Sequence, residues 1–146
     1  MLFRSAAATQ MGVTISPKLI VQLEGDSPSP QLGYKVTKRL VATREPFTAL
    51  FAFNDISAMG AIRALRESGL QVPDDVSVIG FDDIPAAAFY NPALTSVREH
   101  MESLASIGAE ILMEAIRAHR MNTTVSPVHR KIKPELIVRE STAPLS

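Results

Sequence analysis

The sequence predicts an α/β fold organised around a parallel sheet, on three observations. Two short apolar runs, residues 48–53 (TALFAF) and 76–81 (VSVIGF), flank a segment patterned as an amphipathic helix. Each run ends in a polar pair, Asn54-Asp55 after the first and Asp82-Asp83 after the second. The rest of the chain keeps alternating such runs with helical patterns. Two strands joined by a packed helix run parallel, so this alternation points to βαβ units rather than to a meander.

Each element has its own signal. Runs 48–53 and 76–81 are too short for helices and rich enough in large apolar residues for buried strands. Between them Ile56, Met59, Ile62 and Leu65 recur every three residues with Ala58, Ala61 and Ala64 beside them, the stripe of an amphipathic helix. Asp55 is the expected N-cap of that helix, and Gly69 followed by Pro73 is its expected stop. Residues 3–11 read as a helix ending at Gly12, and 19–23 as a strand after Pro17. Residues 24–31 (EGDSPSPQ) read as a loop and 32–42 as the next helix. Residues 95–98 form a brief extended piece after the Asn91-Pro92 turn. Residues 101–120 are the longest helix, with Met101, Leu104, Gly108, Ile111, Leu112 and Ile116 on one face. Residues 128–139 close the chain as a strand or two, interrupted by Pro134.

Composition narrows the function classes. A chain of 146 residues, 46% of them hydrophobic, is enough for one domain burying roughly 68–70% of its unfolded surface. Fifteen basic and fifteen acidic residues cancel, which is no nucleic-acid footprint. The absence of cysteine removes thiolate and disulfide chemistry. No apolar stretch approaches about 20 residues, so no membrane span is expected. The first residues lack the long apolar core of a secretion signal, and a cytoplasmic location is the expectation.

Asn54, Asp55, Asp82 and Asp83 fall together at the carboxyl ends of parallel strands, where open α/β sheets bind ligands. Their carboxylates could instead hold Mg²⁺, but no Gly-rich phosphate loop accompanies them. No metal site or cofactor is therefore expected. His100, His119 and His129 have no ligand spacing, and no serine sits in a G-x-S-x-G turn, so the chain does not read as an enzyme. The basic run 129–133 reads as a solvated strand edge.

The segments TALFAFND, ALRESGLQVPDDVSVIGFDD, NPALTSV and LIVREST, in this order and at these spacings, resemble the LacI/GalR family of bacterial transcription regulators. The resemblance spans about residues 3–142. It implies a periplasmic-binding-protein-like, two-lobed effector-binding core of which this chain is a part. Residues 1–92 and 128–142 would form the C-terminal lobe, and 97–122 would cross to the N-terminal lobe. The family's helix-turn-helix has no counterpart here, so operator DNA would be reached only through a domain outside this chain. The resemblance makes Asp82 an effector contact that accepts hydrogen bonds from sugar hydroxyls, and Asn54 a second contact through its amide. Asp55 is expected as a helix cap and Asp83 as a turn residue. Loop 25–29 carries Ser27-Pro28-Ser29 where many members have an aromatic that stacks on the ligand. Met59, Phe89 and Tyr90 are expected to pack across a homodimer axis. The function so implied is effector sensing and dimerisation in a LacI-type regulator. A sugar-binding receptor of the same fold is the alternative. The apolar face of helix 101–120 would be buried by folding back on this lobe or by meeting a second chain.

Overall fold

The computed structural model describes residues 8–22, 29–124 and 126–144. One four-stranded sheet runs in the order β1 (Ala49–Phe51), β2 (Ser77–Phe81), β3 (Thr95–Arg98) and β4 (Glu135–Ile137). The pairs β1–β2 and β2–β3 are parallel, with Leu50 opposite Val78 and Gly80 opposite Ser96. Strand β4 pairs antiparallel with β3, Val97 opposite Leu136, so the sheet is mostly rather than wholly parallel. The helices are α1 (Pro30–Ala42), α2 (Asp55–Arg66), α3 (Pro85–Phe89) and α4 (Met101–Arg120).

Local chemistry sets the ends of these elements. Ser29 caps α1 by accepting from the Leu32 amide at 3.1 Å, with Pro30 in the first turn, where its missing N–H costs nothing. Helix α2 ends at Gly69 (φ +81°), and the Leu70 amide returns to the Leu65 carbonyl at 3.0 Å. Ile62, Leu65, Val76, Val78 and Leu94 are fully buried where α2 meets β2 and the approach to β3. Fully burying such a side chain is worth roughly 1.5–3 kcal/mol. Ser141 ties the C-terminal segment across two strands. Its hydroxyl donates to the Val78 carbonyl (2.6 Å) and accepts from the Thr95 amide (2.8 Å).

Helices α1 and α2 touch backbone to backbone. A Cβ on Gly60 would stand 1.9 Å from the Pro30 carbonyl oxygen, and one on Gly33 would stand 2.2 Å from that of Ser57. Both glycines are buried, and the close approach exists because neither has a side chain.

Several sequence expectations shift. Residues 8–10 are helical and Gly12 (φ +73°) follows them, while 3–7 fall outside the described residues. The strand expected at 19–23 is absent from its described part. Pro17–Leu19 form a 3₁₀ turn, closed by the Ile20 amide on the Pro17 carbonyl, and 20–22 are irregular. Pro17 fixes a helical φ that seeds the turn. Of loop 24–31, residues 24–28 fall outside the described residues, and α1 already begins at Pro30. Residues 84–90 contain the short helix α3. In 128–139 only three residues form a strand, directly after Pro134, which cannot donate to a ladder. His129 and the basic run are therefore irregular chain, not a strand edge.

Helix α4 has the expected ends but not a fold-back burial. None of its residues is buried, and Met101, Leu104, Leu112, Met113 and Ile116 are exposed. No helix among the described residues is long and apolar enough to cross a membrane.

Substituting Gly60→Ala should cost about 3 kcal/mol, because backbone rather than a flexible side chain blocks the new methyl. Urea denaturation checks this. A loss below about 0.5 kcal/mol would mean that α1 and α2 are not in contact.

Candidate functional site

The candidate site lies at the carboxyl ends of β1, β2 and β3. The chain leaves β1 through Ala52 and Phe53 into Asn54, whose side chain turns back on α2. Asn54 Oδ1 accepts from the Ser57 amide at 3.0 Å, so the N-cap is Asn54 and not Asp55 as the sequence suggested. Asp55 is the first residue of the helix and is completely buried. Its Oδ1 accepts from the Ser96 hydroxyl (2.5 Å) and its Oδ2 from the Ile84 amide (2.8 Å). Among the described residues no cation contacts it. The positive end of the α2 dipole and these two donors compensate the charge instead. Gly80 makes the room, since a Cβ there would lie 2.1 Å from Asp55 Oδ1.

The turn after β2 is drawn inward over this carboxylate. The Asp82 amide donates to the Val97 carbonyl (2.9 Å), that of Asp83 to Ser96 Oγ (3.1 Å) and that of Ile84 to Asp55. Asp82 and Asp83 both have positive φ, +101° and +51°. Positive φ is uncommon outside glycine, and two in succession store strain.

The two aspartates then take opposite roles. Asp82 is exposed and, among the described residues, makes no ion pair or side-chain hydrogen bond. Partial burial of its carboxyl, then the nearby charges of Asp55 and Glu99, push its pKa up. Asp83 is more than the turn residue expected. Its side chain is 4% exposed and sits between two guanidinium groups. Arg98 Nε and Nη2 contact Oδ2 at 2.7 and 2.6 Å, and Arg139 Nη2 lies 2.7 Å from Oδ1. That last contact is an ion pair off the hydrogen-bond axis, which leaves Oδ1 without an aligned donor. Burial alone would raise the Asp83 pKa. The close guanidinium of Arg139, with the hydrogen bond and charge of Arg98, outweighs it and holds the carboxyl below the usual range. With Asp55 and Asp83 spent on donors inside the protein, the aspartates do not converge on a metal. Among the described residues no cluster of three metal-ligating side chains is present.

The structure thus brings Asn54 and Asp82 to adjacent strand ends, one buried and capping, the other exposed. Elsewhere, Tyr90 donates to the Met59 carbonyl at 2.9 Å, joining the end of α3 to α2, and Phe89 beside it is 90% exposed. Ser96, Arg98 and Arg139 were not singled out from the sequence. Arg98 and Arg139 had only position as a signal, at or just beyond a strand end, while Ser96 lies within β3 and had none.

Comparison with known proteins agrees with this geometry. Residues 3–142 match the family model described as a periplasmic binding protein-like domain. The HTH-type transcriptional repressor PurR of Haemophilus influenzae (strain PittEE) is 42% identical over 135 residues, which are 92% of this chain and 39% of the repressor. PurR of Pectobacterium carotovorum is 39% identical over 137 residues, 94% of this chain and 38% of the repressor. Among solved structures, a LacI-family regulator from Sanguibacter keddieii superposes with a TM-score of 0.82 at 32% identity, covering 93% of this chain and 48% of that one. The transcriptional regulator CelR in complex with cellobiose superposes with a TM-score of 0.81 at 31% identity, covering 94% and 40%. The chain belongs to the periplasmic-binding-protein-like domain family, and within it to the C-terminal region of LacI/GalR regulators. It spans about two fifths of the repressors it matches. Those relatives are named as repressors and regulators, in keeping with a chain that is not an enzyme.

Removing the Asp83 charge should change the acid limb of stability. A carboxyl whose folded pKa is depressed stabilises the fold above its unfolded pKa, and that stability is lost as pH falls through the folded value. Asp83→Asn should cost about 2 kcal/mol at neutral pH, less than the roughly 3–5 kcal/mol of a fully buried pair because Arg98 is 43% exposed. As pH falls through the folded value, which lies below that of free aspartate, the variant and the parent should converge. Urea midpoints across pH 2–7 check this, and a constant difference over that range would contradict it.

Proposed function

We propose that this chain is the effector-sensing and dimerisation part of a LacI-type transcription regulator. A small sugar-like ligand bound at the strand ends would control DNA binding by the whole protein. The observation that supports it most is the turn itself, which spends every backbone amide from Asp82 to Ile84 inward and leaves the Asp82 carboxylate outward. A carboxylate accepts from two adjacent hydroxyls at once, which suits a sugar. Asn54 Oδ1 is spent on its helix, so a contact from Asn54 would use its amide nitrogen. The CelR relative is a complex with cellobiose, in keeping with a sugar-like effector. Ligand shifts the regulator by binding one of its states better than the other.

In this reading residues 1–92 and 128–142 form the C-terminal lobe, and 97–122 reach toward an N-terminal lobe. Chain leaves the sheet from β3 and returns on the adjacent antiparallel β4, and no residue of the α4 between them is fully buried. Operator DNA would be contacted by a separate domain, in the cytoplasm, and no groove-reading element is assigned to this chain. The sugar-receptor alternative is disfavoured because the relatives are named as repressors. A homodimer through Met59, Phe89 and Tyr90 fits the exposure of Phe89 beside the Tyr90–Met59 contact.

Asp82→Asn should weaken a bound sugar about ten- to 150-fold, a charged hydrogen bond being worth roughly 1.5–3 kcal/mol. The same change should raise stability at pH 7 by a few tenths of a kcal/mol, since it removes a carboxylate whose charge the fold disfavours in a solvent-screened position. Calorimetric titration with cellobiose and urea denaturation read the two effects, and unchanged affinity would refute the contact. Phe89→Asp should weaken self-association at least about 30-fold in sedimentation equilibrium. A dimer of undiminished strength would remove this surface from the proposal.

A further inference from the structure

The hydrogen bonds of the turn hold its backbone but leave unexplained how two successive aspartates stay at positive φ. Strain of this kind persists only where the surroundings over-determine it. The strongest such constraint is the Asp83 carboxylate between Arg98 and Arg139. The two arginines come from different passages of the chain. Arg98 ends β3, ahead of α4, and Arg139 follows β4, after it. Arg139 is itself fixed, with Nη1 donating to the Leu94 carbonyl (2.7 Å), its amide to Thr95 Oγ1 (2.9 Å) and only 17% of its side chain exposed. Arg98 also reaches Glu135 on β4 at 3.6 Å. This is a built clamp, not a solvated pair.

We propose that Arg98 and Arg139 are positioning residues for effector binding, acting through Asp83 to hold the Asp82 carboxylate where a ligand can use it. The inference rests on the reading of Asp82 as the effector contact. A binding group has to be held within about 0.5 Å of its productive place by packed and bonded neighbours, and a strained turn without its clamp would not do so. Because one arginine precedes and the other follows the α4 excursion, the clamp also ties that excursion to the ligand turn. Occupancy at Asp82 then bears on both chain passages at once.

The test uses ¹⁵N-labelled chain, amide hydrogen exchange and a chemical-shift titration with cellobiose as the probe. Asp83→Asn and Arg139→Met should speed exchange at Asp82, Asp83 and Ile84 at least about tenfold more than at Val78, the mark of a local opening. They should also weaken cellobiose about tenfold, near the value of one hydrogen bond to a charged acceptor. Arg139→Lys, which keeps the charge, should recover part of both. Val76→Ala, a core change remote from the clamp, should lower stability without either selective effect. Turn amides that exchange as in the parent overturn the clamp. So do clamp variants that bind cellobiose at parental strength while Asp82→Asn does not. A parent indifferent to cellobiose, or an Asp82→Asn chain that binds it equally well, instead overturns the effector reading. Loosened turn amides in the clamp variants would then still support the clamp as what holds the turn.

Discussion

The strand ends depend on one buried carboxylate. Asp55 enters the protein at the first turn of α2 with no cation of the described residues beside it, and an uncompensated charge there would cost several kcal/mol. The Ser96 hydroxyl, the Ile84 amide and the helix dipole compensate it together. Each of those partners brings a different element: β3, the turn after β2, and α2 itself. Gly80 on β2 completes the arrangement by leaving space for Oδ1. One side chain therefore sets the register between three elements, and the path of the turn follows from it.

The turn that results divides labour between neighbours. Asp83 is taken into an ion-paired, shielded place that favours its charge, while Asp82 is held where charge is disfavoured and solvent is near. A carboxylate whose charge the fold disfavours and which stands at the surface is open to donors from outside the fold. Strain, exposure and an upward pKa thus coincide at one residue, as ligand-binding groups on rigid scaffolds often show. The chain that carries α4 and β4 lies between the two arginines that grip Asp83, so in the proposed reading a ligand at Asp82 and that excursion would share a support.

Much of the fold was legible because periodicity and punctuation are local. The stripe Ile56, Met59, Ile62, Leu65 and the stops at Gly69 and Pro73 locate α2, and 101–120 gives both ends of α4. Where tertiary context decides, local reading failed. Asn54 and Asp55 are both good caps, and only the space beside Gly80 sends Asp55 inward and leaves Asn54 to cap. Residues 19–22 have strand-like composition, yet Pro17 closes a turn ahead of them. Asp82 and Asp83 look alike in sequence. Their difference arises from Arg98 and Arg139, 15 and 56 residues beyond Asp83, which no local pattern links to it. The apolar stripe of α4 calls for a covering surface that the pattern does not name, and in this chain that face is exposed rather than folded back.

The most direct measurement is a carboxyl ¹³C NMR titration of Asp82 and Asp83 in the same sample. Free aspartate titrates at about 3.9. The account predicts Asp82 above that value and Asp83 below it, one residue apart in the chain and on opposite sides of the reference. Two midpoints together near the free value, or Asp83 above Asp82, would mean that the clamp and the outward carboxylate do not exist as described.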